Sequence, residues 1–129
     1  MLLLTFGKTV TKATLVAAYD AAGHFIAAQG PCGGIVDFTA VECTEITAGD
    51  VRSISYRPAA FPPGMPRVFV APTPHLYGMC RMYQIIREDL ASDLHVVRTL
   101  EEAYALLGLE SPDFKTIDAN GPAPRAGNI

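Results

Sequence analysis

The sequence has no apolar run reaching the ~18 residues that a membrane helix needs, so a spanning segment is not expected. Cysteine is scarce. Cys32, Cys43 and Cys80 are an odd number with no CxxC pair, which reads as free thiols and argues against a disulfide framework. Charge is scarce too: charged residues are 18% of the 129 and the net charge is −3, so no nucleic-acid partner is expected. The GxSxG elbow of serine hydrolases is missing. No CxxxxxR phosphatase loop follows Cys32, because the residue six beyond it is Phe38. Three scattered histidines and three scattered cysteines make no metal-ligand cluster, and the sequence implies no cofactor. Internal repeats and low-complexity tracts are also missing. Residues 1–4 are apolar, but Lys8 and Lys12 come after them, the wrong order for a signal peptide, so a cytoplasmic location is expected.

What remains is an apolar composition. Half the residues are hydrophobic and the mean hydropathy is +0.24, which excludes a disordered chain. A chain of this length buries roughly two-thirds of its unfolded surface, enough for one domain with its own core.

The hydrophobic period switches four times in the same sense. Short apolar runs at residues 2–6, 34–38, 67–71 and 94–98 read as strands. Between them, Leu15, Ala18, Tyr19, Ala22, Phe25 and Ile26 have helical spacing, with Thr11 as N-cap and Gly30 as the stop. A short capped helix is expected after Thr47, burying Val51, Ile54 and Ser55. A longer one, over residues 75–89, carries Leu76, Met79, Cys80, Tyr83 and Ile86 on one stripe. Thr99 and Glu102 have capping-box spacing ahead of a last helix, which buries Leu100, Ala103, Tyr104 and Leu107 and ends at Gly108. Both-sided apolar strands alternating with helices mean a parallel sheet with helices on both faces, an α/β fold. Residues 57–66 carry four prolines and continue no regular element. Residues 110–129, rich in Pro and Gly, read as a tail outside a domain of residues 1–109, resting on that domain or on a neighbouring subunit.

Four segments together resemble the SpoIIAA-like branch of the STAS fold. They are Gly34-Ile35-Val36-Asp37-Phe38-Thr39, Val68-Phe69-Val70-Ala71-Pro72, the helix from Tyr77 to Gln84, and His95-Val96-Val97-Arg98-Thr99-Leu100-Glu101-Glu102-Ala103. The likeness covers most of residues 1–109 and none of the tail. It implies a four-stranded sheet of order 2-1-3-4 and a non-catalytic regulatory or protein-interaction role. Two departures stand out. The family's extra first strand is missing. Where the antagonists of that family carry a phosphorylated Asp-Ser-Ser, this chain has Glu42-Cys43-Thr44-Glu45-Ile46-Thr47. Thr44 or Thr47 occupies the similar place as a phospho-acceptor candidate, and Glu42, Glu45 and Asp50 would repel an added phosphate.

An order of 2-1-3-4 puts a topological switch point between the first and third strands, where ligands of open α/β sheets settle. The residues leaving those strands include Lys8, Thr9, Thr73 and His75, which with Asp37 are the candidate ligand-binding set for a small apolar or anionic molecule. Gly7-Lys8-Thr9 follows a strand and precedes a helix, as the end of a phosphate-binding loop does. The glycine that motif needs five residues earlier is replaced by Leu2, so no nucleotide loop is expected. His75 reads either as a group poised at a helix N-terminus or as a half-exposed helix-start residue. Asp37 reads either as a ligand-orienting acid or, preferred, as the cap of an Asx turn. No catalytic residue is assigned. The arginines at 52, 57, 67, 81, 87 and 98 are interspersed with acids and read as solvated surface. Phe61 and Met65 sit on a proline-stiffened loop and are expected to cover a sheet edge or to meet another subunit. With the ordered tail, they point to a homodimer or a protein partner.

Overall fold

The structure, a computed structural model, describes residues 1–59, 61–90, 92–108, 115–118 and 126–128, with backbone pairing alone for the last two stretches. The four expected strands form: β1 (Leu2–Thr5), β3 (Gly34–Asp37), β5 (Arg67–Val70) and β6 (Leu94–Val97). A separate short parallel pair, β2 (Thr9–Thr11) and β4 (Cys43–Glu45), lies outside the main sheet. The helices are α1 (Lys12–Gln29), α2 (Ala48–Ser55), α3 (Pro74–Ile86) and α4 (Leu100–Leu107). Within the segment 110–129, β7 (Lys115–Asp118) and β8 (Ala126–Asn128) are strands of the main sheet; residues 110–114, 119–125 and 129 lie outside the described residues.

Each helix starts where its sequence supplies a cap. The Thr11 hydroxyl accepts from the Thr14 N–H at 3.2 Å while the Thr14 hydroxyl accepts from the Thr11 N–H at 2.9 Å. Thr47 and Asp50 exchange the same pair of bonds at 3.1 and 3.0 Å. Thr99 accepts from the Glu102 N–H, but the Glu102 carboxylate takes the Thr99 hydroxyl rather than its backbone N–H, so the expected box closes through side chains. No helix among the described residues is long and apolar enough to cross a membrane.

The α/β class is as expected: four parallel strands with helices on both faces. The lateral order differs. The sheet runs β6-β5-β3-β1-β7-β8, so the four strands stand in the order 1-2-3-4 and not 2-1-3-4, with β8 antiparallel at the far edge. Helix packing explains the correction. Parallel crossovers are right-handed, so three steps in one direction put α1, α2 and α3 on one face. The order 2-1-3-4 would place α1 opposite the other two. Instead Leu15 and Ala18 of α1 share one core with Val51 and Ile54 of α2 and Leu76 and Cys80 of α3, over Leu2, Leu4, Val36, Phe69 and Leu94. The chain then steps back across the sheet to β7, and α4 lies on the opposite face, where Ala103 packs on Ile35, Val68, Val70 and Val97. The strand pair β7–β8 extends the sheet beyond β1, so the division at residue 109 does not separate a domain from a tail.

Candidate functional site

The point where the chain reverses its stepping across the sheet falls between the parallel neighbours β1 and β7, not between β1 and β5, because β3 lies between the latter two. The strand ends that lead to Lys8 and to His75 are therefore two strand spacings apart, about 9–10 Å. Lys8 is exposed, and its carbonyl accepts from the Glu42 and Cys43 N–H groups at 2.7 and 2.8 Å, which ties the β1 exit to the turn before β4. Thr9 is the first residue of β2. Thr73 caps α3 by accepting from the Leu76 N–H at 3.3 Å, and His75 is exposed in the first turn of that helix. Asp37 is buried and its Oδ1 accepts from the Thr39 N–H at 2.9 Å, the Asx turn preferred above. None of these five residues lines either of the two cavities described below. Thr44 is half-buried in β4, and the Thr47 hydroxyl is engaged as the α2 cap.

The residues that do converge lie at the other end of the sheet. Phe61 is only 2% exposed, its ring packed on the backbone of Gly34, so it is a core residue of its own chain and not the interface residue expected; Met65 is half-buried. The turn that follows Phe61 wraps around Arg67, the first residue of β5. Gly64 takes φ +85°, a left-handed conformation that glycine adopts freely, and its N–H donates to Asp93 Oδ2 at 2.9 Å. Pro62, Pro63 and Pro66 contribute carbonyls but no N–H groups, so the turn holds more acceptors than donors. Arg67 supplies what is missing. Its Nη1 donates to the Phe61 carbonyl at 2.9 Å, its Nη2 to Pro62 at 2.7 Å and Met65 at 3.0 Å, and its Nε to Met65 at 3.3 Å. The Phe61 ring lies 5.7 Å from the guanidinium carbon.

Arg67 is 2% exposed, which corrects its reading as solvated surface. Burial lowers its pKa, and the Asp93 carboxylate opposes that shift. Among the described residues it forms no ion pair, and one Nη1 N–H has no acceptor. Arg67 is one of the residues lining a cavity of about 310 Å³ between α1, the proline turn and α3. Tyr19, Asp20, Gly23 and His24 form one wall, Arg57, Pro58, Ala59 and Phe61 another, and Ile54, Phe69 and Tyr83 the rest. Arg57 and Asp20 pair at 2.9 Å beside it, both about half exposed. Burial pushes the Tyr19 hydroxyl well above its ordinary 10, nearby Tyr83 adds to the rise, and Arg67 opposes it. That hydroxyl has no hydrogen-bond partner among the described residues. Burial also raises Tyr83, with Arg87 pulling the other way.

A second cavity, about 50 Å³ and apolar, lies between the sheet and α1–α3, bounded by Val10, Leu15, Phe38, Ile46, Val51, Leu76, Met79 and Cys80. Burial pushes the Cys80 thiol up from its ordinary 9 to about 12, whereas Cys43 is exposed and Cys32 half-buried. A thiol reagent at pH 8 is expected to label Cys43 first and Cys80 only after unfolding. The same shift makes the domain weaker in alkali. The neutral Cys80 thiol contributes fully below pH 9, and its contribution is lost as pH rises from 9 towards 12, because only the unfolded chain ionises there. A denaturant midpoint that falls over that range, and falls less in Cys80→Ala, checks it.

The geometry offers anion binding beside a buried cation. Among the described residues, no group of three His, Cys, Asp or Glu side chains is placed to hold a metal ion, and no hydrogen bond joins Asp37 to His75. Sequence reasoning missed Arg67. The signal was present in a proline-rich turn short of donors with an arginine directly behind it. Comparison with protein-family models, with curated proteins and with solved structures finds no match.

Proposed function

We propose that this domain is a non-catalytic binding module, a sensor or carrier of a small anionic ligand held at Arg67. One observation carries the reading: Arg67, buried and in no ion pair among the described residues, lines a 310 Å³ cavity, within the size range of small-molecule sites. Burying an uncompensated charge is costly, and an anion in the cavity would offset that cost. This moves the ligand from the crevice near Lys8 and His75 to the opposite end of the sheet. Kinship with STAS-like regulators remains part of the proposal, supported by fold class alone. Contact with a partner protein is the second reading of its output, favoured by the exposed side chains of Tyr56 at the end of α2 and Ile85 in the last turn of α3.

Native mass spectrometry of the full chain, drawn gently from its own cells, tests this. A small-molecule adduct that leaves on denaturation is expected. Its occupancy should fall in Tyr19→Phe and stay level in the double variant Lys8→Ala/His75→Ala. An adduct that survives Tyr19→Phe but is lost in the double variant returns the site to the crevice and overturns the proposal.

A further inference from the structure

The two cavities share Tyr19, Ile54, Phe69 and Tyr83 as a common wall, yet they make opposite chemical demands. The outer one is lined by Arg67 and Tyr19, each with a donor that lacks an acceptor among the described residues, and by the Arg57 guanidinium. The inner one is almost wholly apolar although partly open, so a water there meets few polar partners. An inorganic anion would satisfy the donors and leave the inner space empty. A hydrocarbon would fill that space and leave a buried charge unanswered. Only a molecule with an acidic end and an apolar body meets both demands.

Resting on the anion site proposed at Arg67, we infer that the ligand is an amphipathic monocarboxylic acid. Two donors match the two oxygens of one carboxylate, one from Arg67 Nη1 and one from Tyr19 Oη. The apolar body passes between Tyr19 and Tyr83 into the inner cavity. At 50 Å³, that cavity holds about three to four water-sized groups, which sets the length of chain it rewards.

Calorimetric titration of the full chain with straight-chain carboxylates from butanoate to decanoate, and with the matching primary amides, tests the inference. Affinity should rise about fourfold for each added methylene over three or four steps and then level off. Each amide should bind at least tenfold more weakly than its acid. Cys80→Leu, which fills the inner cavity with hydrocarbon, should flatten the rise. If that variant fails to fold, the wild-type series still decides. A flat wild-type series in which acids still outbind amides, and in which Tyr19→Phe weakens them, overturns the amphipathic ligand and leaves the anion site standing. Acids and amides binding alike overturns both. No binding by any member at millimolar concentration overturns the inference.

Discussion

Gly34→Ala is expected to destabilise the domain by at least ~3 kcal/mol, enough to lower the melting temperature by about 10–20 °C. A Cβ at this position would stand 2.4 Å from the Leu2 carbonyl oxygen and 2.7 Å from the Phe61 ring. Neither neighbour yields cheaply. Leu2 is held in register with Gly34 across the β1–β3 pair, and its N–H donates to the Gly33 carbonyl at 3.0 Å. On its other side the Gly34 N–H donates to the Pro66 carbonyl at 2.9 Å, which fixes the end of the proline turn. Moving Phe61 aside would uncover the Arg67 guanidinium. The added methyl thus disturbs the strand pair and the proline turn together. Gly78→Ala is the control with opposite sign. Gly78 lies exposed within α3, with no heavy atom within 4 Å of where a methyl would stand, so alanine gains about 0.5–1 kcal/mol of helix preference. Thermal melts of the two variants should move apart. A Gly34→Ala melt within 2 °C of the parent would show that β1, β3 and Phe61 do not approach so closely.

The elements were legible in the sequence because short-range chemistry specifies them. Thr11, Thr47, Thr73 and Thr99 cap the four helices, and the first two and the last were visible as caps by spacing alone. The two-sided burial of β3 and β5 was visible in their unbroken apolar runs. Lateral order was not legible. Residues 2–5 and 34–37 pair in parallel whether the next strand joins beyond one or beyond the other, and the composition of a two-sided strand does not name its neighbour. The decisive fact is tertiary: Leu15 and Ala18 meet Val51 and Leu76 in a single core, which sets the direction of the first crossover. The strand β7 hid for a different reason. Lys115-Thr116-Ile117-Asp118 lacks the apolar run that marked the others.

The site was less legible than the fold, and the error over order caused part of this. The order 2-1-3-4 would bring together the strand ends that lead to Lys8, Thr9, Thr73 and His75. With β3 inserted between those strands, their ends stand apart, Thr73 caps α3 and the Lys8 carbonyl ties the β1 exit to the turn before β4. Asp37 was legible because an Asx turn needs only residues two apart. Arg67 was concealed among seven arginines that look alike in composition. What sets it apart is its place directly after a turn whose carbonyls lack local donors. Donor shortage in a proline turn is a sequence-readable demand for a buried arginine.

Arg67→Met is expected to cost about 2–4 kcal/mol and to abolish anion binding. Methionine keeps much of the length and apolar stem, so the loss reports the guanidinium. The Phe61 and Met65 carbonyls lose their donors, while Pro62 retains the Met65 N–H at 3.2 Å. An orphaned buried acceptor costs about 1–3 kcal/mol, and losing the cation over Phe61 adds somewhat less than one such bond. Relief from burying a charge offsets part of the total. The turn over residues 58–66 should become the first site of proteolytic cleavage, and Arg67→Lys, which keeps charge but not the planar fork, should fall between parent and methionine. This variant alone leaves a structural arginine and a ligand-binding arginine indistinguishable, because either would lose stability and binding together. Tyr19→Phe separates them. Its hydroxyl is buried without a partner among the described residues, so removing it should leave the ligand-free domain unchanged or up to ~1 kcal/mol more stable, while weakening carboxylate binding. Stability and affinity moving in opposite directions is the signature of a hydroxyl kept for a ligand. If Tyr19→Phe instead destabilises the ligand-free domain by more than about 1 kcal/mol, the hydroxyl belongs to the core and the cavity loses one of its two donors.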